Sequence, residues 1–212
     1  AGKGVFGGNN PKLKRKHLGA FWTQAVSKWH NNLFAVVNCC FFSTDINPTD
    51  LAFPLKQENK HITDGYGSAR EFQKPFQLKT LSFQNKKGFI ESFKDSAHLG
   101  AALHTPSGLR NIAGGLDPSA NKGLNNLVGR TFIGVTSSNH DGKNDIALLF
   151  NSAFASQIAA TKTLTNDFGC KADQIIMFDG GGSTQLIIKN ESCISSSRTI
   201  PHALAIISTS RI

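Results

Sequence analysis

IIMFDGGGSTQLII, Ile175 to Ile188, is the stretch on which the reading of this chain turns. Two strongly apolar runs flank one acid, three consecutive glycines and two hydroxyls. Glycine inside a strand costs backbone entropy and packs nothing, so three in a row call for a tight turn or for a ligand close to the backbone. In the first reading the two runs form a hairpin, glycine supplies positive φ and Asp179 caps the turn. In the second, the amides of Gly180, Gly181 and Gly182 face one concavity suited to phosphate or carboxylate. Ser183 adds a hydroxyl there, and Asp179 stands at the mouth. The stretch is no P-loop, because the glycine spacing and the lysine of that motif are missing.

Outward from the bend, the chain is mostly strand. Asn32–Phe42 (NLFAVVNCCFF) reads as a buried strand ending near Asn38. Phe76–Phe83 (FQLKTLSF) alternates apolar with polar residues, as a strand with one wet face does. Pro48, Pro54 and residues 63–69 (TDGYGSA) mark loops and a short hairpin. Asn111–Gly129, rich in Gly and Asn, reads as a long surface loop. Arg130–Phe150 holds two strands around a turn at Asp141-Gly142. A helix is expected over 152–169, capped by Ser152, with Phe154, Ile158, Ala159 and Leu164 on its apolar face and Gly169 past its end. Pro201–Ile207 is a last apolar strand. This order predicts the α+β class: one domain, a mixed or antiparallel β-sheet with one main amphipathic helix packed on it. Residues 1–31 are expected to be an irregular basic lead-in, and 32–212 the domain proper.

A chain of 212 residues, 39% hydrophobic, can bury one sizeable core. No window approaches the ~18–20 uninterrupted apolar residues of a membrane span, so none is expected. The vicinal pair Cys39-Cys40 is poorly placed to bridge itself, and with no CxxC or Cys/His metal spacing a structural zinc is not expected. The net charge of +9 points to an anionic partner. Much of it sits in KLKRKH, Lys12 to His17, which reads as a solvated tail or loop. No helix-turn-helix, zinc finger or RNP-type aromatic pattern accompanies it, so nucleic acid is not the expected partner.

Polar residues at strand ends are the candidates for chemistry. Arg130, opening a strand at GRT, can hold a pair of phosphate oxygens by its planar fork, or serve as a surface salt-bridge partner. Asn38 can hydrogen-bond a sugar hydroxyl or cap a turn. Arg198 and His202 (SSRTIPHA) precede the final strand, and an imidazole is the side chain suited to general acid or base work near neutral pH, although a lone histidine is more often a packed residue.

In their order, VVNCCFF, ITDGYG, GRTFIGV, the 152–169 helix, IIMFDGGGSTQLII and SRTIPHALAII resemble the motifs of the phosphodiester glycosidase family, that of the mannose 6-phosphate uncovering enzyme. The match covers about residues 32 to 207. The family's Asn-Gly-Gly is Asn38-Cys39-Cys40 here, which implies a pocket narrower there or shaped for another substrate. The resemblance also implies that the sequence begins after the family's usual first strand.

The resemblance implies hydrolysis of a sugar-1-phosphodiester to free sugar and a phosphomonoester, in a secreted, periplasmic or cell-envelope protein. It needs no cofactor and leaves a divalent metal open. Arg130, Gly180, Gly181, Gly182 and Ser183 are then expected on the phosphate, Asn38 and Thr131 on the sugar, and Arg198 among the substrate-binding residues. Asp179 is expected as the catalytic carboxylate, assisted by Arg198 or His202, with Asp64 as the candidate for a second one. The alternative is a non-catalytic module that binds anionic or phosphorylated glycans with the same groups.

Overall fold

The computed structural model describes residues 2–3, 9–66, 77–84, 87–93, 111–137, 145–191 and 193–207. Every strand pairing among them is antiparallel. The elements run β1 (Gly2–Lys3), β2 (Asn9–Asn10), α1 (Leu18–Trp29), β3 (Leu33–Asn38), β4 (Leu55–Gln57), β5 (Lys60–Thr63), β6 (Leu78–Gln84) and β7 (Lys87–Phe93). They continue with β8 (Asn111–Leu116), β9 (Val128–Thr136), β10 (Ile146–Ala155), α2 (Gln157–Lys162), β11 (Ile175–Met177), β12 (Leu186–Ile188) and β13 (Ala203–Ile207).

Two principal sheets result. The larger is ordered β10-β9-β11-β8-β4-β5, with β6 paired to β8 and β7 paired to β6; the smaller is β12-β3-β13. Between them, Val36 shares one core with Leu18 and Ala25 of α1 and with Ile133, Val135 and Ile176 of the large sheet. β3 is buried at every residue except Phe34, as a central strand covered on both faces must be.

Among the described residues the architecture is α+β, sheet-rich, with two short helices where one was expected. The added helix is α1, inside the stretch read as an irregular lead-in. Leu18, Phe21, Trp22, Ala25 and Trp29 recur at the spacing of one helical face, and that face packs on the small sheet. The basic run before it is pinned rather than a loose tail. Leu13 pairs with Thr49, Lys16 pairs with Ile200, and the Arg15 guanidinium donates to the carbonyls of Thr44 and Thr199.

Three other expectations change. The expected helix starts late: β10 runs on to Ala155, Ser156 rather than Ser152 is the cap, with Oγ accepting from Ala159 N–H at 3.0 Å, and Phe154 is 69% exposed. Its α-helical part ends at Lys162, and a π-helical turn, Thr163–Asp167, carries it on to the expected Gly169 at φ 70°. The supposed surface loop 111–129 begins as strand β8, buried from Ile112 to Leu116. β6 has no wet face from Leu78 to Ser82, because Lys79, 1% exposed, turns inward to Asp117 at 2.7 Å. The expected turn at Asp141-Gly142 and part of the 63–69 hairpin lie outside the described residues.

Candidate active site

The glycine bend is a crossing between sheets. β11 belongs to the large sheet and β12 to the small one, which rules out the hairpin reading. Phe178 is buried, worth roughly 1.5–3 kcal/mol to the fold, and its N–H donates to Thr131 O at 2.9 Å. Asp179 N–H donates to Cys39 O, also at 2.9 Å. The start of the bend is thus tied at once to β9 and to the segment after β3.

Asn38 is the knot of that tie. Its Nδ2 donates to Asp179 O at 2.6 Å, while Oδ1 accepts from Thr131 Oγ1 at 2.9 Å and Gln185 N–H at 3.1 Å. Asn151 Nδ2 donates to Thr131 Oγ1 at 2.9 Å. Asn38 is 1% exposed and Thr131 is fully buried, so their polar atoms are engaged beneath the bend rather than offered to solvent.

Each glycine answers a different local demand. A Cβ on Gly180 would stand 2.6 Å from the Gly129 carbonyl oxygen, so only glycine lets the bend lie on β9. Gly181 has φ 59°, the left-handed region. A Cβ on Gly182 would stand 2.9 Å from Cζ of Arg198. Gly180 N–H turns back to Asp179 Oδ1 at 3.0 Å. The turn's first internal bond runs from Ser183 N–H to Gly180 O, so the amides of Gly181 and Gly182 precede it on the exposed side of the bend.

Ser183 is buried and links the acid to a base. Its hydroxyl accepts from Arg198 Nη1 at 3.3 Å and lies near enough to the Asp179 carboxyl to favour its charged form. Burial raises the Asp179 carboxyl to about 6, against the opposing pull of Ser183, Gly180 N–H and Arg198, so both protonation states are accessible near neutral pH. Arg198 itself is exposed. A largely buried carboxyl, the exposed backbone of Gly181 and Gly182 and an exposed guanidinium therefore meet at one bend.

No protein-family model matches the chain, and no curated protein does. Among solved structures, the chain is similar to the catalytic domain of zebrafish N-acetylglucosamine-1-phosphodiester alpha-N-acetylglucosaminidase, auto-inhibited by its pro-peptide. The likeness has a TM-score of 0.58 at 14% identity and covers 90% of this chain and 65% of that one. The two share a fold. The chain thus spans about two thirds of that domain.

Within that fold, the Arg130 guanidinium is turned to backbone carbonyls, whereas Arg198 stands at the bend. Arg130 is buried, and its guanidinium donates to the carbonyls of Ala155, Lys122, Gly123 and Asn126, using four of its five N–H donors. With Gln157, which donates to the Pro118 and Ala120 carbonyls, it satisfies the backbone of the 117–127 loop. Arg130→Lys is therefore expected to cost about 1–3 kcal/mol of stability in urea denaturation while leaving the Michaelis constant of any turnover near its original value. A raised Michaelis constant with unchanged stability would return Arg130 to the phosphate.

Asp64 is fully buried and paired through Oδ1 with His61 Nε2 at 2.6 Å. Of the residues singled out in the sequence, Asn38, Thr131, Asp179, the three glycines, Ser183 and Arg198 converge on the bend. His202 meets a group that reading missed. Its ring nitrogen and the sulfurs of Cys39 and Cys40 all lie within 4.8 Å of one another. The strand register brings this about, since Ala203 pairs with Asn38 and so sets His202 beside Cys39. Hydrogen bonding from Cys39 and the nearby His202 draw the Cys40 thiol down despite its burial, whereas burial pushes Cys39 up.

Proposed function

We propose that the protein is a hydrolase that cleaves a sugar-1-phosphodiester between the anomeric carbon and the phosphate oxygen. The observation that carries this reading is the meeting of Asp179, Ser183 and Arg198 at a glycine bend whose Gly181 and Gly182 are exposed. Arg198 and the amides of Gly181 and Gly182 bind the phosphate, whose charge grows as the bond breaks. Asp179 acts on the anomeric side, as the base that takes a proton from the attacking water. The electrons of the broken carbon–oxygen bond leave with the phosphomonoester, a group acidic enough to depart with little protonation, so one carboxylate suffices where glycosidases otherwise employ two. Asp64, held by His61, has no part in the step. Asn38 and Thr131 are positioning residues that fix the Asp179 backbone from below. A secreted, periplasmic or cell-envelope location goes with this substrate class.

The competing reading, a glycan-binding module without turnover, draws on Cys39-Cys40 standing where the resembled family has glycines. A chromogenic sugar-1-phosphodiester separates the two. Product release supports the hydrolase, and calorimetric binding of the same compound without product supports the module.

Arg198→Ala should lower kcat/KM on that substrate by about 5–150-fold, the ~1–3 kcal/mol of a charge-assisted hydrogen bond. The exposed side chain can be removed with little effect on the fold, checked by circular dichroism. Unchanged kcat/KM would take Arg198 off the phosphate.

A further inference from the structure

We infer that Cys39, Cys40 and His202 form a binding site for a borderline-soft divalent ion of the zinc class. Two thiolates bound at ~2.3 Å to a tetrahedral zinc ion stand ~3.8 Å apart. Cys39 Sγ and Cys40 Sγ are 3.8 Å apart, although neighbours in an extended strand point to opposite faces. The chain can bring them together because β3 ends at Asn38 and the backbone bends at Cys40. The third corner is His202, whose Nδ1 is buried with no hydrogen-bond partner among the described residues. A buried ring nitrogen without a partner is costly, and a metal ion is a partner that two adjacent sulfurs also suit.

The donor set decides the ion. Two sulfurs and one imidazole exclude calcium and magnesium, which take oxygen ligands, and fit zinc and its spectroscopic substitute cobalt. Three protein ligands leave a fourth tetrahedral position open, the pattern of zinc sites that hold a water or a substrate atom. The site adjoins the bend, since the Cys39 carbonyl accepts from Asp179 N–H at 2.9 Å. The substitution of two cysteines at positions that are glycine in the resembled family thereby acquires a purpose beyond filling space.

The test uses the full chain, reduced, stripped with chelator, desalted under anaerobic conditions and titrated with cobalt(II). One equivalent should produce the near-ultraviolet sulfur-to-cobalt charge-transfer band and the visible bands of tetrahedral cobalt, and zinc(II) should bleach both. Cys40→Ser and His202→Gln should each weaken cobalt binding by at least the ~10–100-fold that loss of a mere supporting residue costs. Cys193→Ser, which removes an exposed cysteine, should leave the titration unchanged. Far-ultraviolet circular dichroism of the metal-free variants checks that each is folded. A folded protein with no tetrahedral spectrum, or a His202→Gln variant with the wild-type titration, overturns the site. The readout is independent of turnover, so a protein that binds cobalt but releases no sugar would overturn only the hydrolase reading.

Discussion

Asp179→Asn is expected to reduce release of sugar from a sugar-1-phosphodiester by about 1,000-fold or more, within or beyond the 10²–10⁴-fold range of a lost general acid or base. Asparagine keeps the shape of the side chain, and its carbonyl oxygen can still accept from Gly180 N–H, now 3.0 Å from Oδ1. The backbone ties to Cys39 O and Asn38 Nδ2 do not involve the carboxyl at all. The variant should therefore fold, and because an amide removes the Asp179 charge from a site whose burial already raises the carboxyl to about 6, its melting temperature should not fall. The deficit should appear in kcat, with the Michaelis constant little altered, because phosphate binding is left to Arg198 and the two amides. Turnover within tenfold of the original would remove Asp179 from the chemistry. Equal loss in kcat and in stability would reduce it to a structural residue.

How far the sequence could be read depended on whether the deciding contacts were local. The bend was legible because three glycines in apolar sequence demand either a close approach or positive φ, and the structure has both, at Gly180 and Gly181. The strands around it were legible from apolar runs, yet nothing local says that β11 and β12 join different sheets. That the Arg130 guanidinium is taken up by backbone carbonyls was beyond reach for the same reason. A guanidinium beside a strand looks the same in sequence whether it faces a ligand or the carbonyls of Lys122, Gly123 and Asn126. His202 lies more than 160 residues along the chain from Cys39 and Cys40, and only the β3–β13 register joins them. α1 is different, because its apolar spacing was present all along and was masked by the Gly, Asn and Lys around it. Lys79 misled through its charge, since alternation with a lysine normally marks a wet face and here marks a buried partner for Asp117.

That pair carries the largest expected effect on stability. Lys79 Nζ is buried and donates to Asp173 O at 3.0 Å and Ile175 O at 2.9 Å, and its charge is met by Asp117 Oδ2 at 2.7 Å. Asp117→Asn keeps the shape and leaves an oxygen for Ser119 N–H, but strands an ammonium in the interior. Breaking a buried pair from one side costs about 3–5 kcal/mol, and that loss is the expectation for urea denaturation at neutral pH. Replacing both partners, Lys79→Met with Asp117→Asn, should cost less than the sum of the single changes, because no charge is then left unpaired. The pH dependence has a definite sign. Burial by itself would raise the Asp117 carboxyl, yet hydrogen bonds from Lys79 and Ser119 outweigh it and hold the group below its usual value. A carboxyl lowered on folding contributes stability above its unfolded value of about 3.9 and loses it as pH falls through the lower folded value. The natural chain should therefore lose stability more steeply than the Asp117→Asn variant below about pH 4, and the two curves should converge in acid. Parallel curves would mean that the carboxylate adds nothing to the fold, and that the three backbone carbonyls near Nζ suffice to keep Lys79 inside.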